Sequence, residues 1–170
     1  MSLANFHGKW KEIESKNDSE FLKSVGVSKT KRRVAKRMKV KCKWDVQDEN
    51  CYIYTNKLMG VCDKIVLGEA FETQSRTFGL ARQISHLEEA TGDLVSTITI
   101  LKPDGNIDVP EGTVLSNRIS VNGKCDRLTI QTTHEGNTLV KIMKKRKMTA
   151  EEEAAEEAAD LKALAEAEKE

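Results

Sequence analysis

The feature that most constrains this chain is a long succession of short segments in which polar and apolar residues alternate. It begins at residues 38–44, where Met38, Val40, Cys42 and Trp44 share one side and three lysines share the other. Similar segments follow at 51–55, 60–66, 70–75, 81–88, 93–101, 113–121, 128–134 and 138–145, separated by turn-forming sequences. With a further segment at 5–15, the pattern predicts about ten short antiparallel strands, and closure into a barrel removes their exposed edges.

Two short helical segments precede most of these strands. The first, residues 17–25, begins at a residue that can cap a helix, Asn17 or Asp18, and is followed by Gly26, which readily adopts the geometry of a helix stop. The second, residues 28–37, begins at Ser28. The predicted fold class is mainly β: a ten-stranded antiparallel up-and-down barrel capped by a helix-turn-helix, with an appended C-terminal helix.

The segment after Lys147 differs sharply in composition from the rest of the chain. Residues 148–170 are mostly alanine and glutamate, which favour helices, and Thr149 followed by Glu152 fits a capping box. This segment has nine acidic residues and two lysines, a net charge of −7, whereas the whole chain carries +1. We therefore predict a basic barrel at 1–147 and an acidic helical tail at 148–170, either docked or frayed.

Composition and missing motifs narrow the class of protein. No apolar run approaches the roughly 20 residues of a membrane span, and the N-terminus lacks a secretory signal, so we expect a cytoplasmic protein, with the nucleus as a further compartment. Four cysteines at irregular spacings are expected to be free thiols. Phosphate-binding loops, nucleophile elbows and metal-binding histidine pairs are missing, so no enzymatic activity, catalytic residue, metal or cofactor is predicted.

Three strings of residues resemble a known family. Phe6-His7-Gly8-Lys9-Trp10 and Phe21-Leu22-Lys23-Ser24-Val25-Gly26-Val27 are similar to the opening of the intracellular lipid-binding proteins, the fatty-acid-binding and cellular retinoid-binding family. Leu67-Gly68-Glu69-Ala70-Phe71-Glu72-Thr73 resembles a mid-chain segment of that family. The resemblance covers residues 5–145. It implies a ten-stranded barrel, expected to be a monomer, that carries a fatty acid or other small hydrophobic ligand and exchanges it with membranes.

The resemblance also implies how a ligand carboxylate would be held. The family uses an arginine on the eighth strand, which corresponds to Arg118 here, with Ser116 and Ser120 expected beside it on the inner face. On the tenth strand the family has Arg-x-Tyr, whereas this chain has Lys141 and Met143. Lysine keeps a charge but loses the bidentate guanidinium, and methionine loses the phenol. An apolar ligand is therefore expected, and its head group is left open between a carboxylate and a more neutral or differently built group.

The entrance to the barrel is expected to be apolar. Leu58 matches the family's portal phenylalanine, and with Val25, Val27 and Met38 it would form the gate. Asp18 stands where the family usually has a cavity-facing phenylalanine, which makes one wall of the entrance more polar.

Nine lysines and arginines, and no acidic residue, lie between positions 29 and 43. Since the resemblance places them at the portal, transient contact with an anionic membrane is expected from those on the second helix: Lys29, Lys31, Arg32, Arg33, Lys36 and Arg37. Nucleic-acid binding is disfavoured because no aromatic residue is interleaved with these cations. There are two alternatives to a carrier that meets membranes through these cations. The cations form an ordinary solvated face, or the protein is a ligand-poor barrel that acts as a protein- or membrane-interaction module through them. The acidic tail is a possible partner of this stretch.

Overall fold

The computed structural model describes residues 2–37, 39–107, 109–167 and 169, without the side chains of Leu164 and Ala167. A 3-10 turn, Leu3–Phe6, comes first. The strands are β1 (Gly8–Lys16), β2 (Lys41–Val46), β3 (Cys51–Asn56), β4 (Val61–Val66), β5 (Phe71–Ser75), β6 (Gly79–Leu87), β7 (Leu94–Lys102), β8 (Val114–Val121), β9 (Arg127–His134) and β10 (Asn137–Arg146). The helices are α1 (Asp18–Ser24), α2 (Lys29–Arg37) and α3 (Ala150–Ala167).

The ten strands form one antiparallel sheet that rolls into a nearly closed barrel. Strands that are consecutive in the chain pair with each other from β2 to β4 and from β5 to β10, and β1 pairs with both β2 and β10. The sheet therefore ends at β4 and β5, which are not joined by backbone pairing. The predicted barrel and its helix-turn-helix are confirmed. The segment around Phe6 forms a turn instead of a strand, because the indole N–H of Trp10 donates to the Phe6 carbonyl at 3.0 Å.

Apolar side chains collect in two separate clusters, one at each end of the barrel. The cluster at the closed end lies around the 3-10 turn and consists of Leu3, Phe6, Trp10, Cys42, Trp44, Tyr52, Ile65, Leu94, Ile119, Leu128 and Met143. The cluster at the helix end lies beneath α1 and consists of Phe21, Leu22, Val25, Val27, Ala81, Ile100, Ile107, Val109, Leu115 and Leu139. The two apolar ends of the barrel are therefore separated by a middle section that belongs to neither cluster.

The connection between β7 and β8 helps to close the helix end. Ile107 and Val109 from this connection are buried, and the backbone N–H of Ile107 donates to the carbonyl of Thr77 at 2.9 Å. Gly105 lies so close to this segment that a Cβ atom would stand 2.3 Å from the Thr77 carbonyl oxygen. A side chain at position 105 would therefore push the connection away from the barrel.

Helix α3 docks on the outside of the barrel through ion pairs. Glu156 lies at the centre, 2.5 Å from the Lys41 ammonium and 2.6 Å from the Arg146 guanidinium, with Lys11 at 3.5 Å. Burial raises the pKa of Glu156, but hydrogen bonds from Lys41 and Arg146 outweigh this effect and hold the pKa at about 2. This carboxylate therefore stays charged over the whole physiological range.

Further contacts extend this docking in both directions along α3. Glu153 pairs with Lys9, and Glu157 lies 2.6 Å from the Lys57 ammonium. Asp160 lies 2.7 Å from Lys41. The predicted capping box is confirmed, since the Glu152 amide donates to the Thr149 hydroxyl and the Thr149 amide to the Glu152 carboxylate. We call Lys9, Lys11, Lys41, Lys57 and Arg146 the docking cations; only Lys41 belongs to the basic stretch named above.

Two expectations from composition can be compared with the structure. All four cysteines are free thiols, as predicted, and burial raises the pKa of Cys42 far above its ordinary value. Among the described helices, none combines the length and the apolar character that crossing a bilayer would require.

Candidate functional site

A belt of polar side chains separates the two apolar clusters inside the barrel. On β8 the inward-facing residues run Leu115, Asn117, Ile119, and on β10 they run Leu139, Lys141, Met143, so each strand has one polar residue between two buried apolar ones. Every strand except β2 contributes at least one inward-facing polar residue. The polar belt consists of Glu12, Tyr54, Asp63, Thr73, Gln83, Ser96, Asn117, Thr132 and Lys141. Burying a polar side chain costs free energy unless it is hydrogen-bonded, and several belt residues meet this requirement through one another, as Thr132 does with Asn117.

Two residues of the polar belt keep some accessible surface. Tyr54 lies deep in the barrel, where burial is the largest cause of the rise in its pKa, and burial also raises the pKa of Tyr52 to about 12. Tyr54 is nevertheless only half-buried, and the side chain of the inward-facing Lys141 is 16% exposed. Both side chains therefore combine an inward direction with residual accessible surface.

Lys141 is held by acidic and polar groups of β1 and α1. Its ammonium lies 3.2 Å from Glu12 Oε2, 3.4 Å from Ser15 Oγ and 3.6 Å from Asp18 Oδ2. Glu12 Oε2 also accepts the backbone N–H of Val40 at 2.8 Å, and its side chain is only 3% exposed. The hydroxyl of Ser15 donates to the Asp18 carboxylate at 2.6 Å. We call Glu12, Ser15, Asp18 and Lys141 the internal ionic cluster.

A second inward-facing carboxylate lies where the sheet ends. Asp63 on β4 accepts a hydrogen bond of 2.5 Å from the hydroxyl of Thr73 on β5. This side-chain bond joins the two strands that lack backbone pairing with each other. The polar belt is therefore continuous across the gap.

The expectation that Arg118 points into the barrel is wrong. Its guanidinium lies 2.6 Å from Glu88 and 2.8 Å from Asp93, both on the outer surface, and its side chain is 37% exposed. Ser116 and Ser120 share this outward face, so the expectation that they lie on the inner face is wrong as well. The physical reason is the alternation of β8, which has its apolar residues at 115, 119 and 121 and therefore turns Asn117 inward.

Replacing Arg118 should leave ligand binding unchanged. We expect Arg118→Gln to alter the affinity for an apolar fluorescent probe by less than about twofold, since the guanidinium serves the outer surface. Hydrogen bonds from Arg118, and then from Thr91, lower the pKa of Glu88 to about 2, so this ion pair is complete above pH 4.5 and is lost as the pH falls through about 2. Carboxyl titration by NMR should find the midpoint of Glu88 moving toward 4.5 in the variant. A tenfold loss of probe affinity would return Arg118 to the ligand site.

The other predicted ligand-contact residues lie in different places. Met143 is fully buried in the closed-end cluster, with its sulfur 3.9 Å from that of Cys42, and Val25 packs in the helix-end cluster. Met38 lies outside the described residues. Leu58 is half-buried in the turn between β3 and β4. Of the predicted set, Lys141 lies in the polar belt, and Met143 and Val25 close it from the two ends.

Two clefts open on the outside of the barrel. One is a crevice of about 130 Å³ between α3 and the strands, bordered by Leu58, Leu161 and Met148 among others. This volume is well below the roughly 300–1,000 Å³ of ordinary ligand pockets. The other is an open depression around Asp48 and Lys64. Neither contains a residue of the polar belt.

Helix α2 presents much of its charge to solvent. Lys29, Arg33 and Lys36 are exposed, whereas Lys31 and Arg32 are half-buried. The Arg32 guanidinium donates to the carbonyl of Val27 at 2.7 Å and so holds the turn between α1 and α2. The role of Arg32 in the structure is therefore local, and its expected contact with a membrane stays a prediction.

Sequence reasoning missed Glu12, the most buried charge of the internal ionic cluster. A signal existed, because the alternation through Gly8 and Trp10 continues to Glu12 and places a carboxylate on the inner face. The alternation then shifts by one residue, since β1 has a bulge between Glu12 and Glu14, after which Glu14 is exposed and Ser15 is half-buried.

Comparison with solved structures finds the same fold in proteins of low sequence identity. Fatty-acid-binding protein 1 of Echinococcus granulosus superposes with a TM-score of 0.65 at 17% identity, over 85% of this chain and 100% of that one. Lipid binding protein 8 of Caenorhabditis elegans gives a TM-score of 0.67 at 15% identity, over 86% and 99%. A mutant of the fluorescent protein UnaG gives 0.67 at 17% identity, over 86% and 99%.

Comparisons at the level of sequence add no relative. No protein-family model matches the chain, and neither does any curated protein. The structural matches extend over 100% and 99% of the two lipid-binding neighbours. The chain therefore has the fold of the fatty-acid-binding and related lipid-binding proteins, with a docked acidic helix added to it.

Proposed function

We propose that this protein is a carrier that encloses a small hydrophobic ligand between the two apolar clusters and exchanges it with membranes. The observation that supports this most is the polar belt between the two apolar clusters, in which Tyr54 and Lys141 retain accessible surface. The apolar part of a ligand would contact the clusters, and its head group would contact the belt. Each methylene group removed from water contributes roughly 0.8 kcal/mol.

The structural neighbours support the same reading. Two of them are described as fatty-acid-binding or lipid-binding proteins. No step of the proposed function requires catalysis, since a carrier binds and releases its ligand unchanged. We propose a monomer in the cytoplasm, with access to the nucleus.

Contact with membranes would use the exposed cations of α2. Lys29, Arg33 and Lys36 lie on the helix that, with α1, covers one end of the barrel. Each basic residue close to an anionic leaflet contributes about 1 kcal/mol, so three together would hold this end at the bilayer. A ligand could then pass between the barrel and the membrane without crossing water.

The ligand site can be tested by filling it. Asn117→Trp places a large side chain in the polar belt, and Ser116→Trp places the same side chain on the outer face of the same strand. We expect the inward variant to lower the affinity for an apolar fluorescent probe at least tenfold, because it occupies the space that the ligand needs. The outward variant should bind within about twofold of the unchanged protein.

Native mass spectrometry of the purified protein provides the second measurement. A carrier should retain lipid from its host, and the Asn117→Trp variant should retain less than the Ser116→Trp variant. Equal probe affinities in the two folded variants would contradict an internal site. So would a protein that neither retains lipid nor binds the probe.

A further inference from the structure

The charges inside the barrel bear on the ligand's head group. Glu12 and Asp18 both lie against Lys141, so the internal ionic cluster has two carboxylates for one ammonium. Asp63 adds another inward-facing carboxylate to the polar belt. The guanidinium of Arg118 does not offset them, because it pairs with Glu88 and Asp93 on the outer surface.

The ammonium of Lys141 is already engaged. An ammonium has three N–H donors and no acceptor. Glu12, Ser15 and Asp18 supply three neighbouring oxygens, at 3.2, 3.4 and 3.6 Å. An incoming carboxylate would therefore have to displace a protein carboxylate that is itself almost completely buried.

The rest of the cluster holds these groups in place. Glu12 Oε2 accepts the amide of Val40 as well as Lys141, which joins β1 to the start of β2. Asp18 is the first residue of α1 and accepts the hydroxyl of Ser15. Moving Glu12 away from Lys141 would break its hydrogen bond with the Val40 amide, and moving Asp18 away would break its hydrogen bond with the Ser15 hydroxyl.

From this geometry we infer that the barrel selects a lipid whose head group has no negative charge and donates hydrogen bonds, such as an alcohol or an amide, and discriminates against a free fatty acid. This rests on the proposed function. The physical basis is the negative sum of the inward-facing charges around Lys141: a second anion beside them is repelled, whereas a hydroxyl or amide N–H can donate to their oxygens.

A set of ligands with one chain and three head groups tests this inference. The probes are oleic acid, oleyl alcohol and N-oleoylethanolamide, each measured by displacement of an uncharged fluorescent lipid and by native mass spectrometry. We expect the alcohol and the amide to bind at least tenfold more tightly than the acid at pH 7.4. Tighter binding of the acid would overturn the inference and leave the carrier function standing, whereas binding of none of the probes would overturn the carrier function.

Variants of the cluster test the cause. Glu12→Gln combined with Asp18→Asn leaves Lys141 as an unpaired cation, and we expect affinity for oleic acid to rise at least tenfold while that for oleyl alcohol changes less than threefold. Glu14→Gln, an exposed carboxylate on the same strand, is the matched control and should leave all three affinities unchanged. If the double variant does not fold, Asp18→Asn alone should shift the preference toward the acid in the same direction. An unchanged preference in a folded variant would overturn the inference.

Discussion

Removal of residues 148–170 should increase binding to anionic vesicles at least tenfold at low ionic strength. The deletion removes α3 and exposes the docking cations. Four of these cations pair with acidic residues of α3, namely with Glu153, Glu156 or Asp160. Each cation near an anionic leaflet contributes about 1 kcal/mol, so two engaged together give roughly thirtyfold. Cosedimentation with vesicles containing phosphatidylserine measures the effect, and raising the salt concentration should abolish it.

Point variants in the full-length chain separate the charges of α3 from its bulk. Glu156→Gln removes the carboxylate that contacts Lys11, Lys41 and Arg146, and it should reproduce part of the gain. Glu151→Gln changes the net charge equally, but Glu151 is an exposed residue of the first turn, so binding should change little. Vesicles of phosphatidylcholine alone should not distinguish the proteins. Equal binding of the truncated and full-length chains to anionic vesicles would show that α3 does not shield this face.

Lys141→Met should lower the free energy of unfolding by about 3 kcal/mol. The substitution keeps the length of the side chain but leaves Glu12, which is 3% exposed, without its cationic partner. Removing one member of a buried ion pair is costly because the remaining charge stays desolvated. Urea denaturation monitored by tryptophan fluorescence measures the loss, and the slope of the unfolding curve should stay the same.

A double substitution isolates the cause of this loss. Glu12→Gln together with Lys141→Met removes both charges, and we expect it to recover most of the stability lost in the single variant. Lys144→Met is the matched control, since Lys144 is exposed on the same strand, and its effect should lie within about 0.5 kcal/mol. A loss in the double variant as large as in Lys141→Met would mean that the charge of Glu12 is not what destabilises the single variant.

The fold could be predicted because many independent local signals agree. The alternation in each strand, the turn sequences and the two short helical segments all point to a helix-capped barrel, and the strand bounds differ from the structure by only a few residues. The two tail residues of the capping box, Thr149 and Glu152, were predictable for the same reason, since the motif needs no information beyond neighbouring positions. The features that depend only on local sequence were therefore predictable.

The inner surface was harder to predict because it depends on the register of each strand. On β8 a shift of one residue exchanges Arg118 and Asn117, and the family resemblance drew attention to the arginine while the apolar residues of the strand required the opposite face. Glu12 was missed because its partner Lys141 is distant in sequence, and pairing across β1 and β10 brings the two together. A buried charge can be recognised as acceptable only when its partner is known.

The seam between β4 and β5 has a consequence for how the barrel responds to a guest. Elsewhere the wall is joined by continuous backbone hydrogen bonds that resist widening. Here the described bonds include the side-chain bond from Thr73 to Asp63 and, at one end, the bond of 2.8 Å from the backbone N–H of Arg76 to the carbonyl of Met59. A bulky guest would therefore widen the barrel along this line before any other, because a few isolated bonds would be lost there in place of a full set of backbone pairs. The circumference of the barrel is thus adjustable along this line, on the side opposite β10, the strand of Lys141.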